Sequence, residues 1–242
     1  MEGYWWHFNQ ISRDGKCRLS HGDKREIVVG EKLTVNGPPR LCQWGLHASL
    51  RLKDAADYSY VMNSCLHLVK LSGQIINDID KDVATERTVI AQLTPIELVI
   101  PLKKFAKKMA MKVSHLWKPS ENVIGWMTEP QETRSAIMRE IGEMRHVEIS
   151  LERTAFKMAE KGDYSKIKEY YAIKTFLKSM DYSNDELITW PAQYASKALH
   201  YEKMANGNSD IHETPSQILY ELHLELEDDV IQAMRSKGYN IP

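Results

Sequence analysis

The sequence predicts an α+β fold, with a small mixed or antiparallel sheet in an N-terminal domain and an all-α helical domain after it. Short β-favouring segments, separated by glycine, proline and asparagine, fill residues 1–100. Helical periodicity with clear helix-start signals fills residues 101–242. A chain of 242 residues is long enough for two modest domains. We therefore place a domain boundary near residue 100.

The N-terminal half is predicted to contain several short strands around one helix. Tyr4–Ile11 is aromatic and β-favouring, and Asp14-Gly15 predicts a hairpin turn that leads into Cys17–Leu19. Spacing of apolar residues on one face predicts a helix over 52–62. The segment 83–93 fits a strand and a helix equally well. Gly73 is predicted to end the strand over 66–71. The further predicted strands are 27–29, 32–35, 40–48, 66–71, 75–79 and 88–93.

The C-terminal half is predicted to be helical because three capping boxes stand at the starts of apolar-periodic segments. These boxes are Thr128 to Gln131, Ser183 to Glu186 and Thr214 to Gln217. Each pairs a helix-capping side chain with a Glu or Gln three residues later. The predicted helices are 102–117, 129–161, 164–180, 184–206 and 215–237.

Composition limits the classes of partner. The formal net charge is -1, so the chain has no global field that would recruit nucleic acid or an anionic membrane. No run approaches the roughly 18–20 apolar residues of a membrane span, and the first residues do not resemble a secretory signal. Cys17, Cys42 and Cys65 are odd in number and widely spaced, which favours reduced thiols. We expect a cytoplasmic protein without a membrane partner.

The strongest candidate for chemistry is His47, which ends a short apolar run just before a predicted helix. Strand ends that lead into a helix often expose ligand-binding side chains. An equally simple interpretation is a partly buried strand residue that bonds a backbone carbonyl. Cys42 stands five residues earlier, and on a strand that separation sends two side chains to opposite faces. We therefore predict no thiol–imidazole pair between them.

A basic helix opens the C-terminal half. The favoured interpretation is a solvated face on a helix that packs by its other side, and the alternative is a phosphate-binding patch for nucleic acid over 103–118. Glu143 and His146 have the spacing of a di-iron ligand pair, but the sequence has no second copy, so we predict no metal site. The candidate nucleic-acid-binding lysines are Lys103, Lys104, Lys107, Lys108 and Lys112.

The order of motifs in the N-terminal half resembles that of a family of uncharacterised phage and bacterial domains. Cys42 is followed, after two variable residues, by Gly45-Leu46-His47-Ala48. An alternating strand then ends in Ser72-Gly73, and Asp80-Lys81 comes next. The resemblance covers residues 1–95. It implies a phage or prophage origin and no established activity.

The same order is more weakly similar to the middle of the ADP-ribosyltransferase fold. In that fold a first-strand histidine holds the ribose of NAD, an aromatic residue stacks on nicotinamide, and a late glutamate orients a ribose hydroxyl. The resemblance implies His7 for the first role, His47 in place of the aromatic residue, and Glu86 or Glu97 for the glutamate. His47 departs from the family pattern, and neither glutamate stands in a recognisable motif. NAD is the cofactor that this resemblance implies.

These observations place the site of the protein in its N-terminal domain. We take His7, His47 and Glu86 as candidate catalytic residues, and Arg18, Asp80 and Lys81 as candidate ligand-binding residues. The lack of a clear catalytic glutamate favours a phage-type accessory protein that binds a host or phage macromolecule, most simply a protein, in the host cytoplasm without catalysis.

The alternative is a divergent NAD-using ADP-ribosyltransferase-like enzyme, and the sequence leaves open whether the chain is an enzyme. The helical domain is predicted to contribute partner contacts or a homo-oligomer interface.

Overall fold

The computed structural model describes residues 3–19, 24–129, 137–180, 184–207 and 213–241. It confirms the α+β prediction, because an antiparallel sheet is followed by helices. Within the described ranges the sheet has five strands, and its order is β1-β4-β5-β2, with β3 also paired to β5. The strands are β1 (Trp5–Gln10), β2 (Lys32–Thr34), β3 (Leu46–Ala48), β4 (Ser64–Ile76) and β5 (Asp82–Leu93).

The sheet closes on itself through one backbone bridge. Trp6 and Ser49 exchange two hydrogen bonds, of 2.7 and 2.9 Å, so the chain just after β3 also pairs with β1. The path β1-β4-β5-β3 therefore returns to β1. A closed path of strands shields side chains on its inner surface from water.

The region before β3 differs from the predicted strand over 40–48. Residues 40–44 form a turn in which the Arg40 carbonyl accepts the amides of Gln43 and Trp44, at 3.1 and 3.0 Å. Gly45 follows with a φ of +126°, a conformation that interrupts an extended strand. Only Leu46–Ala48 pairs with β5.

The two long strands also differ from their predicted form. Gly73 does not end β4, because the strand continues to Ile76 through an irregularity in its register with β5. Gly73 has a φ of +76°, a conformation that a β-bulge accommodates. The segment 83–93 is a strand and not a helix, since β5 covers it completely.

The last three helices follow the predicted boundaries closely, whereas the earlier ones differ. The helix predicted over 52–62 ends at Ala56, a helix over Glu121–Thr128 was not predicted, and the helix predicted over 129–161 is described from Met138. The helix predicted over 102–117 ends at Lys112, and it also differs at the start of the helical half. There the helix begins at Pro95, because Thr94 and Glu97 form a capping box that the prediction missed. The predicted box at Thr214 and Gln217 forms in both directions, whereas those at residues 131 and 183 fall outside the described residues. The helices are α1 (Leu52–Ala56), α2 (Pro95–Lys112), α3 (Glu121–Thr128), α4 (Met138–Ala159), α5 (Ser165–Ser179), α6 (Asn184–Ala205) and α7 (Pro215–Ser236).

The chain divides into two compact units, residues 1–101 with 227–242, and residues 102–226. The last turns of α7 belong to the first unit because Glu227 accepts the Leu52 amide at 2.9 Å and Lys237 pairs with Glu97 at 2.8 Å. In the second unit, buried aromatic side chains pack together. The ring of Phe176 lies 5.2 Å from that of Trp117 and 5.9 Å from that of Trp126.

Two of the three cysteines form a disulfide, which the prediction of reduced thiols did not include. Cys17 and Cys65 are bonded across a sequence separation of 48 residues. Both are buried in an apolar cluster with Leu33, Leu46 and Val89. The bond attaches the segment after β1 to the middle of the sheet. Cys42 is a free, exposed thiol.

Candidate functional site

A chain of polar side chains, buried at Asn9 and His67 and half-buried at Gln92, crosses the sheet from β1 to β5. Asn9 Nδ2 lies 3.0 Å from Nδ1 of His67, and Nε2 of His67 lies 3.0 Å from Oε1 of Gln92. An amide nitrogen is a donor and an amide oxygen an acceptor, so His67 is a neutral imidazole with its proton on Nε2. His7 stands directly opposite His67 in the β1–β4 register.

Arg87 lies beside these histidines and is almost fully buried, with 1% of its surface exposed. Its Nη1 donates a 2.8 Å hydrogen bond to the carbonyl oxygen of His47. Its Nε is buried and has no partner among the described residues. Burial lowers the pKa of Arg87 to about 10, so the guanidinium stays charged at neutral pH.

The electrostatics of His7 and His67 follow from this burial. Burial, and after it the charge of Arg87, lowers the pKa of His67 to about 4. Burial holds the pKa of His7 well below its ordinary value, and Arg87, His67 and His47 act in the same direction. The predicted site residues His7 and His47 are therefore close enough to interact. His7 is therefore neutral near pH 7.

His47 also contacts the turn that precedes β3. The backbone N–H of Cys42 donates to Nε2 of His47 at 3.1 Å. The assumption that one strand covers 40–48 and sends these side chains to opposite faces is wrong, because the chain forms a turn there. The contact uses the backbone of Cys42, and the absence of a thiol–imidazole pair stays a prediction. Cys42 has a φ of +59°, the left-handed conformation that turns allow. The second candidate pair, Asp80 and Lys81, lies close by.

Asp80 and Lys81 form a polar cluster with Tyr58 at the turn between β4 and β5. The hydroxyl of Tyr58 donates to Asp80, and the Lys81 ammonium lies 4.0 Å from the centre of the Tyr58 ring. Tyr58, with a smaller effect of the Cys42 thiol, raises the pKa of Lys81 to about 12. The cluster thus presents a permanently charged ammonium beside the Cys42 turn.

The structure does not bring Glu86 and Arg18 to these histidines. Glu86 pairs with Lys32 at 2.6 Å and accepts from Ser72 at 2.8 Å. Lys32, followed by Ser72, lowers the pKa of Glu86. Arg18 is held within its own loop, since it pairs with Asp14 at 2.6 Å and donates to the Lys24 carbonyl.

The candidate lysines of α2 belong to the second unit, and acidic or aromatic groups engage several of them. Glu225 of α7 pairs with Lys108 at 2.8 Å and with Lys112 at 3.0 Å. Lys107 donates to the Glu129 carbonyl at 2.7 Å and lies 4.6 Å from the Trp126 ring centre. Lys103 and Lys104 are exposed and each has a further interaction. These contacts offset part of the charge of the basic helix.

Within the part of the chain that the structure describes, no cluster of three or more His, Cys, Asp or Glu side chains could hold a metal ion. No helix there combines the length and apolarity needed to cross a bilayer.

Sequence reasoning missed Arg87, His67, Asn9 and Gln92. A signal was present, because His67 interrupts the apolar run from Leu66 to Leu71 and Arg87 stands in the middle of a strand segment. Charged or polar residues are rare at the centre of a buried strand, so their presence there indicates a specific role. The pattern gives no indication that these residues meet, which depends on the register of three strands.

Residues 13–101 match a family described as "Domain of unknown function (DUF7666)". The match covers most of the sheet, including β2, β3, β4 and β5. It supports the prediction of an uncharacterised domain in the N-terminal half. Neither the curated proteins nor the solved structures yield a match.

Proposed function

We propose that this chain is a phage-type accessory protein that binds a host or phage protein in the host cytoplasm, without catalysis. The observation that carries the proposal is an exposed apolar hairpin tip, defined as Ile75, Ile76 and Ile79. Ile79 is fully exposed at the turn between β4 and β5, and Ile75 and Ile76 are 38% and 39% exposed. Exposed aliphatic side chains at the end of a hairpin are a feature of protein-binding surfaces.

The base of this hairpin is anchored, which favours a preformed contact surface. Nε1 of Trp5 donates to Asp82 at 2.6 Å, and Asp82 also accepts the Asp78 amide at 3.3 Å. A surface that is held in place before binding loses less conformational entropy when a partner docks.

The position of Glu86 supports the absence of catalysis. A glutamate that orients a ribose hydroxyl would have to reach the ligand held by His7 and His47. Glu86 instead pairs with Lys32 and Ser72. The proposal of a phage origin and a cytoplasmic site of action is supported by the motif resemblance alone. The Cys17–Cys65 disulfide bears against the cytoplasmic site, because disulfides are unusual in a reducing compartment.

The test is partner capture with matched variants. Immobilised wild-type chain is incubated with bacterial lysates from uninfected and phage-infected cells, and bound proteins are quantified by mass spectrometry. Ile79→Asp is expected to lose a specific partner, because a buried carboxylate at the contact would be desolvated without a counter-charge.

Ile149→Asp is the control, since Ile149 is 67% exposed on α4 in the other unit. The control should keep the partner. Equal capture by all three proteins would contradict a role for the hairpin tip, and so would the absence of any partner in both lysates.

One observation favours the second candidate, the ADP-ribosyltransferase-like enzyme. His7 and His47, which the resemblance assigns to NAD, interact in the structure. Incubation of the chain with NAD and bacterial lysate, followed by measurement of nicotinamide, separates the two candidates. Nicotinamide release that is lost in His7→Gln and His47→Gln would support the enzyme. No release above that of NAD and lysate without the chain would support binding alone.

A further inference from the structure

We propose that Arg87 and His7 bind a phosphate group of a small molecule within the closed path of strands. This inference is independent of the proposed protein-binding function. It starts from a charge that is not balanced in the structure. Arg87 is 1% exposed, and among the described residues no carboxylate pairs with its guanidinium. A buried cation without a counter-charge carries a large desolvation cost.

The groups around Arg87 do not offset that charge. His7, His47 and His67, from β1, β3 and β4, are the titratable groups that interact here. All three are neutral or cationic and never anionic. Asn9, which lies 3.0 Å from His67, is uncharged. An anionic ligand is therefore the missing component of the cluster.

Two buried polar atoms in this cluster have no partner among the described residues, namely Nε of Arg87 and Oδ1 of Asn9. Nε is a donor and suits an oxyanion. Oδ1 of Asn9 is an acceptor and suits a protonated His7, whose charged form a hydrogen bond to Asn9 would stabilise. Both atoms would thus be satisfied if an anion bound and His7 took up a proton.

His7 is the most exposed of the side chains argued to bind the ligand. It is half-buried, whereas Arg87, His67 and Asn9 are buried. In this proposal the ligand contacts the half-buried imidazole as well as the buried guanidinium. A phosphate group fits this pair best, because near neutral pH it carries roughly one to two negative charges and two or three terminal acceptor oxygens, depending on whether it is bridged.

The experiment is titration calorimetry of the full chain with three probes: inorganic phosphate, ADP-ribose and acetate. Inorganic phosphate and ADP-ribose distinguish a free phosphate from a nucleotide phosphate, and acetate tests for a carboxylate. Each titration is run at pH about 6 and about 8, on either side of the ordinary histidine pKa, and in two buffers of different ionisation enthalpy. The buffers report protons that are taken up on binding.

The expected result is binding of at least one phosphate probe that is about tenfold weaker or more in Arg87→Met, since a charged hydrogen bond is lost. Wild-type affinity should be higher at the lower pH, with proton uptake. His7→Gln should fold, bind more weakly and lose the pH dependence. The His7→Gln variant keeps the proposal testable if Arg87→Met does not fold.

Arg139→Met is the control, because the Arg139 side chain is 82% exposed on α4. It should bind as the wild type does. No binding of either phosphate probe, or equal binding by Arg87→Met, His7→Gln and the wild type, would overturn the proposal. Tighter binding of acetate than of phosphate would overturn the assignment of a phosphate group.

Discussion

Nη1 of Arg87 donates a 2.8 Å hydrogen bond to the carbonyl oxygen of His47, and this contact joins the middle of β5 to β3. The imidazole of the same histidine accepts the Cys42 amide at the protein surface. His47 therefore lies between a buried basic cluster and an exposed turn. A ligand bound at Arg87 would act on the residue that also holds the Cys42 turn.

Replacement of Arg87 by methionine is expected to raise the stability of the ligand-free protein by about 1 kcal/mol or more, because an unpaired buried cation is replaced by apolar surface. The thermal unfolding midpoint of Arg87→Met and wild type measures this change. Arg139→Met should differ from wild type by less than about 0.5 kcal/mol, as exposed substitutions usually do. A large loss of stability in Arg87→Met would show that the hydrogen bond from Arg87 to the His47 carbonyl contributes more than the burial of the cation costs.

Stability is expected to fall as the pH drops from about 6.5 to about 4. The pKa of His67 is lowered to about 4 in the folded chain, by burial and then by Arg87, and that of His7 shifts in the same direction. The unfolded chain binds these protons at higher pH, so acid favours unfolding. The stabilisation is complete above pH about 6.5 and, for His67, amounts to about 3 kcal/mol.

Unfolding in urea at several pH values measures this dependence. His67→Gln should flatten the pH profile, whereas His146→Gln, on the exposed surface of α4, should leave it unchanged. A profile in His67→Gln as steep as that of the wild type would assign the acid sensitivity to other groups.

Alanine at Gly45 is expected to destabilise the first unit by several times the roughly 1 kcal/mol that a positive φ costs a side chain. A Cβ at Gly45 would collide with Val83 Cγ2 and approach the Ala84 carbonyl at 3.2 Å. Gly15→Ala is the matched control, since Gly15 has a φ of +79° but open space around it. Similar unfolding midpoints for the two variants would rule out the close approach of β3 to β5.

The Cys17–Cys65 disulfide predicts a simple alkylation pattern. Without reductant, an alkylating reagent should label Cys42 alone in the unfolded chain, and after reduction it should label all three cysteines. Closure of a loop of this length stabilises a fold by roughly 2–4 kcal/mol, so reduction should lower the unfolding midpoint. Labelling of three cysteines without reductant would restore the prediction of free thiols.

Removal of the Glu225 carboxylate is expected to increase binding to single-stranded DNA, because Lys108 and Lys112 each lose an acidic partner. Glu225→Gln should bind severalfold more tightly at low salt, with a steeper salt dependence. Glu221→Gln, which lies on the exposed face of the same helix, is the control. Equal and salt-insensitive binding by all three proteins would remove the nucleic-acid interpretation of α2.

The helical half was the more predictable part of the fold. The Thr214–Gln217 box and the end of α7 follow from local signals, because capping and helical periodicity involve residues within a few positions of one another. In the sheet, the turn at 40–44 and the bulge at Gly73 were missed. The bulge depends on pairing with β5, a strand that lies far away in sequence. The turn is closed by local bonds between Arg40 and Trp44, and it leaves only Leu46–Ala48 to pair with β5.

The candidate site shows the same division. Residue types and their order were enough to select His7, His47 and the Asp80-Lys81 pair and to predict the α+β class. Only the tertiary structure brings His7 close to His47 and adds Arg87 from the centre of β5. It also shows that Glu86 and Arg18 make their contacts elsewhere and do not reach these histidines. The physical reason is that burial and electrostatic coupling depend on strand register and closure, which act between residues tens of positions apart.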